Sequence, residues 1–183
     1  QRLEMLELRR ELEGSGGAGR LWRFPVGQSA AMKGILQRLP TLAAQDIPVL
    51  LVGESGVGKD LLARRIHQLS PRRNCPFLAE LCNIADTLME AELFGFVRGA
   101  FTGAVTDRPG IFERASGGTI YLDEIWDLSS EFQARLLRIL AEKMVRPLGA
   151  EKSFAVDFRL LSSSCHGLAE LQESTTLRHD FFY

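Results

Sequence analysis

Gly53-Glu54-Ser55-Gly56-Val57-Gly58-Lys59 sets three glycines and a lysine at a spacing suited to phosphate. Glycines let successive backbone N–H groups wrap phosphate oxygens, and Lys59 then reaches the outer phosphates. The general pattern follows the lysine with Ser or Thr, whose hydroxyl meets magnesium; here that place is Asp60. A second group is acidic: Gly117-Gly118-Thr119-Ile120-Tyr121-Leu122 is a mostly apolar run that delivers Asp123 and Glu124. At the C-terminal edge of a strand, Asp123 would hold magnesium through water, and Glu124 would orient or deprotonate an attacking water. Each motif has a plainer reading alone, a glycine-rich turn or a solvated acidic turn, but their joint presence points to nucleotide phosphate chemistry. Between them, Gly99-Ala100-Phe101-Thr102-Gly103-Ala104 carries no acid or base, so its chemistry is contact. Leaving Phe101 in water forfeits roughly 1.5 to 3 kcal/mol of burial, and the Thr102 hydroxyl can bond to a partner backbone.

The elements that position these groups read as alternating strands and helices. Apolar runs at 49–52, 77–81, 119–123 and 158–162 read as strands of a parallel sheet. Helical patterns occupy 32–42, 59–69, 88–94 and 132–140, the last with Phe132, Leu136, Leu137 and Leu140 on one face. The alternation predicts a layered α/β fold. Capping boxes are expected at Thr87 with Glu90 and at Ser130 with Gln133. Gly95, Gly99, Gly103 and Gly110, with Pro109, keep the segment before Ile111 from continuing as a helix and let Phe101 project. Residues 145–156 read as a small hairpin turning at Gly149-Ala150.

With 183 residues, 45% of them apolar and 25% charged, the chain has the composition of a soluble globule. A formal charge of −1 argues against a surface that grips DNA by itself. Cys75, Cys82 and Cys165, odd in number, have no short paired spacing, which argues against a disulfide framework and a zinc cluster and suits reduced cytosolic thiols. The most apolar stretch, 47–52, is far too short to span a bilayer, and the charged start is no signal peptide, so the expected location is cytoplasmic. Met5, Leu8 and Leu12 have heptad spacing, with Arg9 and Glu13 one turn apart, and 14–19 is a glycine-rich connector. His67, His166 and His179 are too scattered for a metal site, and Trp22 and Trp126 read as packing residues.

Together the three motifs resemble the central AAA+ domain of bacterial enhancer-binding proteins, the ATP-driven activators of sigma-54 RNA polymerase, over residues 22–183. The resemblance implies a P-loop AAA+ three-layer α/β/α domain with a mainly parallel sheet, the helical lid subdomain missing. Residues 1–20 would then be an interdomain helix and linker, and 21–183 the nucleotide-binding subdomain, cut before the lid. It implies ATP and Mg as cofactors, bound by Gly53, Glu54, Ser55, Gly56, Val57, Gly58, Lys59 and Asp60, with Val26-Gly27-Gln28-Ser29 lining the adenine pocket. Asp123 and Glu124 become the magnesium and water-activating pair, and Arg178 either reaches a neighbouring subunit's nucleotide or is a solvated charge. Residues Gly99, Ala100, Phe101, Thr102, Gly103 and Ala104 become the loop that contacts sigma-54. The full-length protein would be an ATPase working as a ring oligomer, expected to be a hexamer, on sigma-54 RNA polymerase holoenzyme, touching DNA only through another domain.

This sequence departs from that family's pattern in places. An acid after the phosphate-loop lysine is usual there, commonly Glu, so Asp60 is a shortening within type. Leu81 stands where a restraining Asn is typical, with Asn83 close by, and Cys165 behind Ser164 replaces the usual sensing Asn behind Thr. Leucine cannot hydrogen-bond to Glu124, and a thiol is a weak hydrogen-bonding substitute. Those replacements support an alternative, a nucleotide-binding regulatory module of the same fold with impaired hydrolysis. A small-molecule kinase would use the same phosphate loop, with the Phe101 loop closing over an acceptor.

Overall fold

Short apolar runs with little room for a polar face pair most readily when both faces are covered by helices. The computed structural model, which describes residues 29–83, 85–167 and 170, builds such a sheet from four parallel strands. These are β1 (Val49–Val52), β2 (Phe77–Leu81), β5 (Thr119–Asp123) and β8 (Arg159–Ser164), in the order β1-β8-β5-β2. The three earlier strands have the predicted bounds. The last begins one residue later than expected and continues to Ser164, because Val49 to Val52 pairs with Leu161 to Ser164.

Side chains alternate across the sheet and so divide two cores. Ile120 and Leu122 of β5 and Leu160 of β8 join one cluster with Phe94, Phe112 and Phe132. Tyr121 and Leu161 join the other, with Leu39, Ala43, Leu62 and Ile66. Helices α1 (Ala30–Ala44) and α2 (Lys59–Leu69) cover the second face, and α3 (Asp86–Phe94), α4 (Ile111–Arg114) and α5 (Ser130–Glu142) cover the first. The three-layer α/β/α expectation holds. Buried aromatics close the larger core, with ring centroids of Phe94–Phe112 at 5.5 Å and Phe112–Phe158 at 5.2 Å.

Helix α1 exceeds its predicted span at both ends and runs through Pro40. Its start is capped by Ser29, whose hydroxyl accepts from the Met32 N–H at 3.2 Å. Its end is held by the buried Arg159 guanidinium, which donates to the Leu42 and Ala43 carbonyls at 2.9 Å each.

Both expected capping boxes are corrected. The cap of α3 is Ala85, ahead of the expected Thr87, with no side-chain cap bond, and Glu90 instead pairs with Arg135 of α5. Arg135 also lies 4.0 Å over the Phe94 ring, so tertiary partners outbid the local cap for Glu90. In α5 the cap is Ser129, accepting from the Phe132 N–H at 3.3 Å, while the buried Gln133 amide donates to the Leu128 carbonyl at 2.8 Å.

Two hairpins interrupt the layers. β3 (Gly95–Phe96) and β4 (Arg108–Pro109) pair antiparallel at the base of the Phe101 loop, and β6 (Met144–Val145) pairs with β7 (Phe154–Ala155) as predicted. The heptad-spaced start, the glycine connector, Trp22, Val26, Gly27, Gln28, Arg178 and His179 lie outside the described residues.

Candidate active site

The phosphate-loop pattern occupies the turn from β1 into α2. Gly58 caps α2 in the left-handed region, φ 91° and ψ 32°, where a side chain would be strained. Lys59 opens the helix and is buried; its ammonium donates to the Gly53 carbonyl at 2.9 Å and the Glu54 carbonyl at 3.3 Å. The same nitrogen stands 3.3 Å from Glu124 Oε1. An ammonium curled inside its own loop in this way stands where phosphate oxygens are cradled in loops of this pattern.

Asp123 ends β5 and Glu124 follows it in the left-handed region, φ 55°, uncommon for a residue with a side chain. Three contacts hold that conformation. The Glu124 N–H donates to Ser163 Oγ at 3.2 Å, its Oε2 accepts from the Cys165 N–H at 2.8 Å, and its Oε1 meets Lys59. Asp123 Oδ1 accepts from the Tyr121 hydroxyl at 2.9 Å and from the Ser163 hydroxyl. Burial pushes the Tyr121 phenol well above its ordinary range, so it stays a donor. Glu124 beside the Cys165 thiol, more than its slight burial, raises that thiol as well.

These groups line a cleft of about 300 Å³, with Ser55, Gly56 and Asp60 on one side, Tyr121 and Asp123 on the other, and Lys59 and Glu124 meeting between. It opens at the C-terminal ends of the parallel strands, where open α/β sheets take ligands. Backbone amides, one cation and three carboxylates suit a polyphosphate with a hard cation. Among the described residues, no three His, Cys, Asp or Glu side chains converge on one point, so such a cation would draw its remaining ligands from phosphate and water.

The restraint expected of an Asn at the end of β2 is absent, since Leu81 is there, in register with Asp123 and 41% exposed. Asn83 is exposed, and the Glu124 oxygens are taken by Lys59 and by the Cys165 backbone. Cys165 therefore acts on Glu124 through its main chain as well as its thiol. Sequence reasoning missed Tyr121 and Ser163; strand alternation places Tyr121 and Asp123 on one face, and that signal was available. It also missed the stacking of Trp126 on His166, centroids 4.0 Å apart, beside the acidic pair.

The Phe101 loop is more ordered at its root than its composition suggests. Gly99 N–H donates to the Ala104 carbonyl at 2.8 Å, Ala104 N–H returns to the Phe101 carbonyl at 3.0 Å, and Arg98 N–H reaches Asp107 at 2.7 Å. Phe101 is 46% exposed and packs edge-on to Phe96 at 4.9 Å, a local anchor the sequence reading had not given it. Ala104 is buried, whereas Val105 beyond it is 75% exposed and extends the apolar tip.

Comparison with known proteins agrees with this geometry. The chain is 42% identical over 164 residues to the transcriptional regulatory protein GlrR of Escherichia coli (strain K12), covering 88% of this chain and 37% of that protein. It is 48% identical over 143 residues to the hydrogenase transcriptional regulatory protein HoxA of Cupriavidus necator, covering 78% of this chain and 30% of that one. The chain thus spans well under half the length of these relatives. The crystal structure of NtrX from Brucella abortus superposes with a TM-score of 0.78 at 35% identity, over 98% of this chain and 39% of that one. NtrX has also been solved in complex with ATP, with a TM-score of 0.76 at 35% identity, over 98% of this chain and 40% of that one. The model of the sigma-54 interaction domain matches residues 25–183, so the chain belongs to the sigma-54 interaction domain family.

Proposed function

We propose that this chain is the ATP-hydrolysing domain of a sigma-54-dependent transcriptional regulator, and that its Phe101 loop passes the result of hydrolysis to sigma-54 RNA polymerase. The observation that carries the reading is the convergence of Lys59, Asp123 and Glu124 on one cleft at the strand ends. In this reading the amides of the turn from Gly53 to Lys59, with the Lys59 ammonium, bind the triphosphate. Val26 and Gly27 line the adenine side. Asp123 would hold magnesium through water, with Asp60 lining the same cleft. Bound there, the cation would neutralise charge on the phosphate oxygens. Glu124 orients the attacking water and takes its proton. Arg178 serves a neighbour's nucleotide in a ring, a hexamer in the full-length cytoplasmic protein, and DNA is held by another domain.

Support for the partner comes from the family and from the loop itself, whose Phe101 and Val105 present apolar area while Thr102 lies exposed beside them. Leu81 favours a second reading, in which nucleotide is bound but scarcely turned over.

One paired experiment on the intact protein tests the proposal. Lys59→Ala should abolish ATP binding, whereas Phe101→Ala should keep ATP binding and hydrolysis but lose capture of sigma-54. Wild-type ATP affinity in the first variant, or wild-type sigma-54 capture in the second, would overturn the corresponding half.

A further inference from the structure

We propose that Tyr121 and Ser163 are positioning residues that fix the orientation of the Asp123 carboxylate and leave one of its oxygens for the cation. The inference rests on the reading of Asp123 as the magnesium-side acid. A carboxylate at a strand end rotates freely unless something holds it, and here two hydroxyls from different strands do so. Tyr121 lies two residues before Asp123, on the same face of β5, and its hydroxyl donates to Oδ1 at 2.9 Å. Ser163 lies on β8, the neighbouring strand, and its hydroxyl donates to that same Oδ1. Both bonds converge on one oxygen, and among the described residues no hydrogen bond is donated to Oδ2. Ser163 also accepts from the Glu124 N–H at 3.2 Å, which ties the two acids to a single hydroxyl. The position of the phenol is set by packing, because the ring stacks on Phe77 at 6.3 Å and 21° within the core beneath α1 and α2.

Tyr121→Phe removes the hydroxyl and keeps the ring. In the intact protein, binding of a fluorescent ATP analogue is measured in EDTA and across a magnesium titration, alongside the melting temperature. The expected result is a fold that still melts cooperatively and unchanged affinity in EDTA, with about tenfold more magnesium needed for half of the metal-dependent gain, the scale of one lost hydrogen bond to a charged acceptor. Ser163→Ala should shift the magnesium requirement in the same direction. An unchanged requirement in Tyr121→Phe, or an equal loss of affinity with and without magnesium, would overturn the assignment. Lys59→Ala is run beside them. If it binds ATP like wild type, the nucleotide reading falls and this proposal with it; if it loses ATP while Tyr121→Phe matches wild type, only the role of Tyr121 falls.

Discussion

Glu124 shows how much of a site is set by single atoms. Its left-handed backbone, its N–H on Ser163 and its Oε2 on the Cys165 N–H aim the carboxylate into the cleft without any help from Leu81. Glu124→Gln should therefore still bind ATP but lower hydrolysis at least about a hundredfold, the usual contribution of a general base. Trapping of radiolabelled ATP measures it, and turnover equal to wild type would favour the non-hydrolysing reading. That the lysine and the two acids share one cleft was legible in the sequence because their motifs, each open to a plainer reading alone, point jointly to phosphate chemistry. Tyr121 was legible in principle, through its two-residue offset from Asp123. Ser163 was not, and Cys165 was singled out only through the family resemblance, because both reach the acids only once β8 is inserted between β1 and β5.

At the scale of elements, local signals succeeded where nothing distant competed. Helix α2 begins at Lys59 as expected because Gly58 takes a conformation that few other residues tolerate. Helix α3 begins earlier than its apparent capping box because Arg135, forty-five positions away, claims Glu90. The β6–β7 hairpin was foreseen, but not its seat: the Val97 N–H donates to the Leu148 carbonyl at 3.1 Å, and Leu148 N–H donates to the Gly95 carbonyl at 2.9 Å. A Cβ added to Gly149, at φ 74°, would stand 2.8 Å from Ala100 Cβ and 2.9 Å from its Cα. Gly149→Ala should thus cost roughly 1 to 3 kcal/mol of strain and displace the root of the Phe101 loop. Sigma-54 capture should fall while ATP affinity holds, and unchanged capture would show that the seat is not needed.

Across the whole molecule, the edge of the sheet opposite the cleft is fastened by charge. Arg72 binds Asp46, ahead of β1, and Asp157, ahead of β8, each at 2.7 Å. Its hydrogen bonds hold both carboxyls below the ordinary value of 3.8. A carboxyl depressed in the folded state contributes stability that is present above its unfolded value and lost as pH falls through the folded one. Both acids are largely solvent-exposed, so screening keeps the contribution to at most about 1 kcal/mol. His67, buried with Nδ1 2.9 Å from Thr119 Oγ1, has a pKa lowered from 6.5 chiefly by desolvation, so its contribution fades already as pH drops below about 6.5. Melting curves from about pH 7 to about pH 3 should therefore decline in two windows. Arg72→Ala should lower melting at neutral pH and converge on wild type only in the lower window; a constant gap down to the lowest pH would refute the clamp. On the proposed reading, the 3.3 Å contact between Lys59 and Glu124 gives the motor a safety catch. An arriving triphosphate attracts the same ammonium that Glu124 now holds, so on that reading fuel must draw the lysine away before the carboxylate is handed to the attacking water.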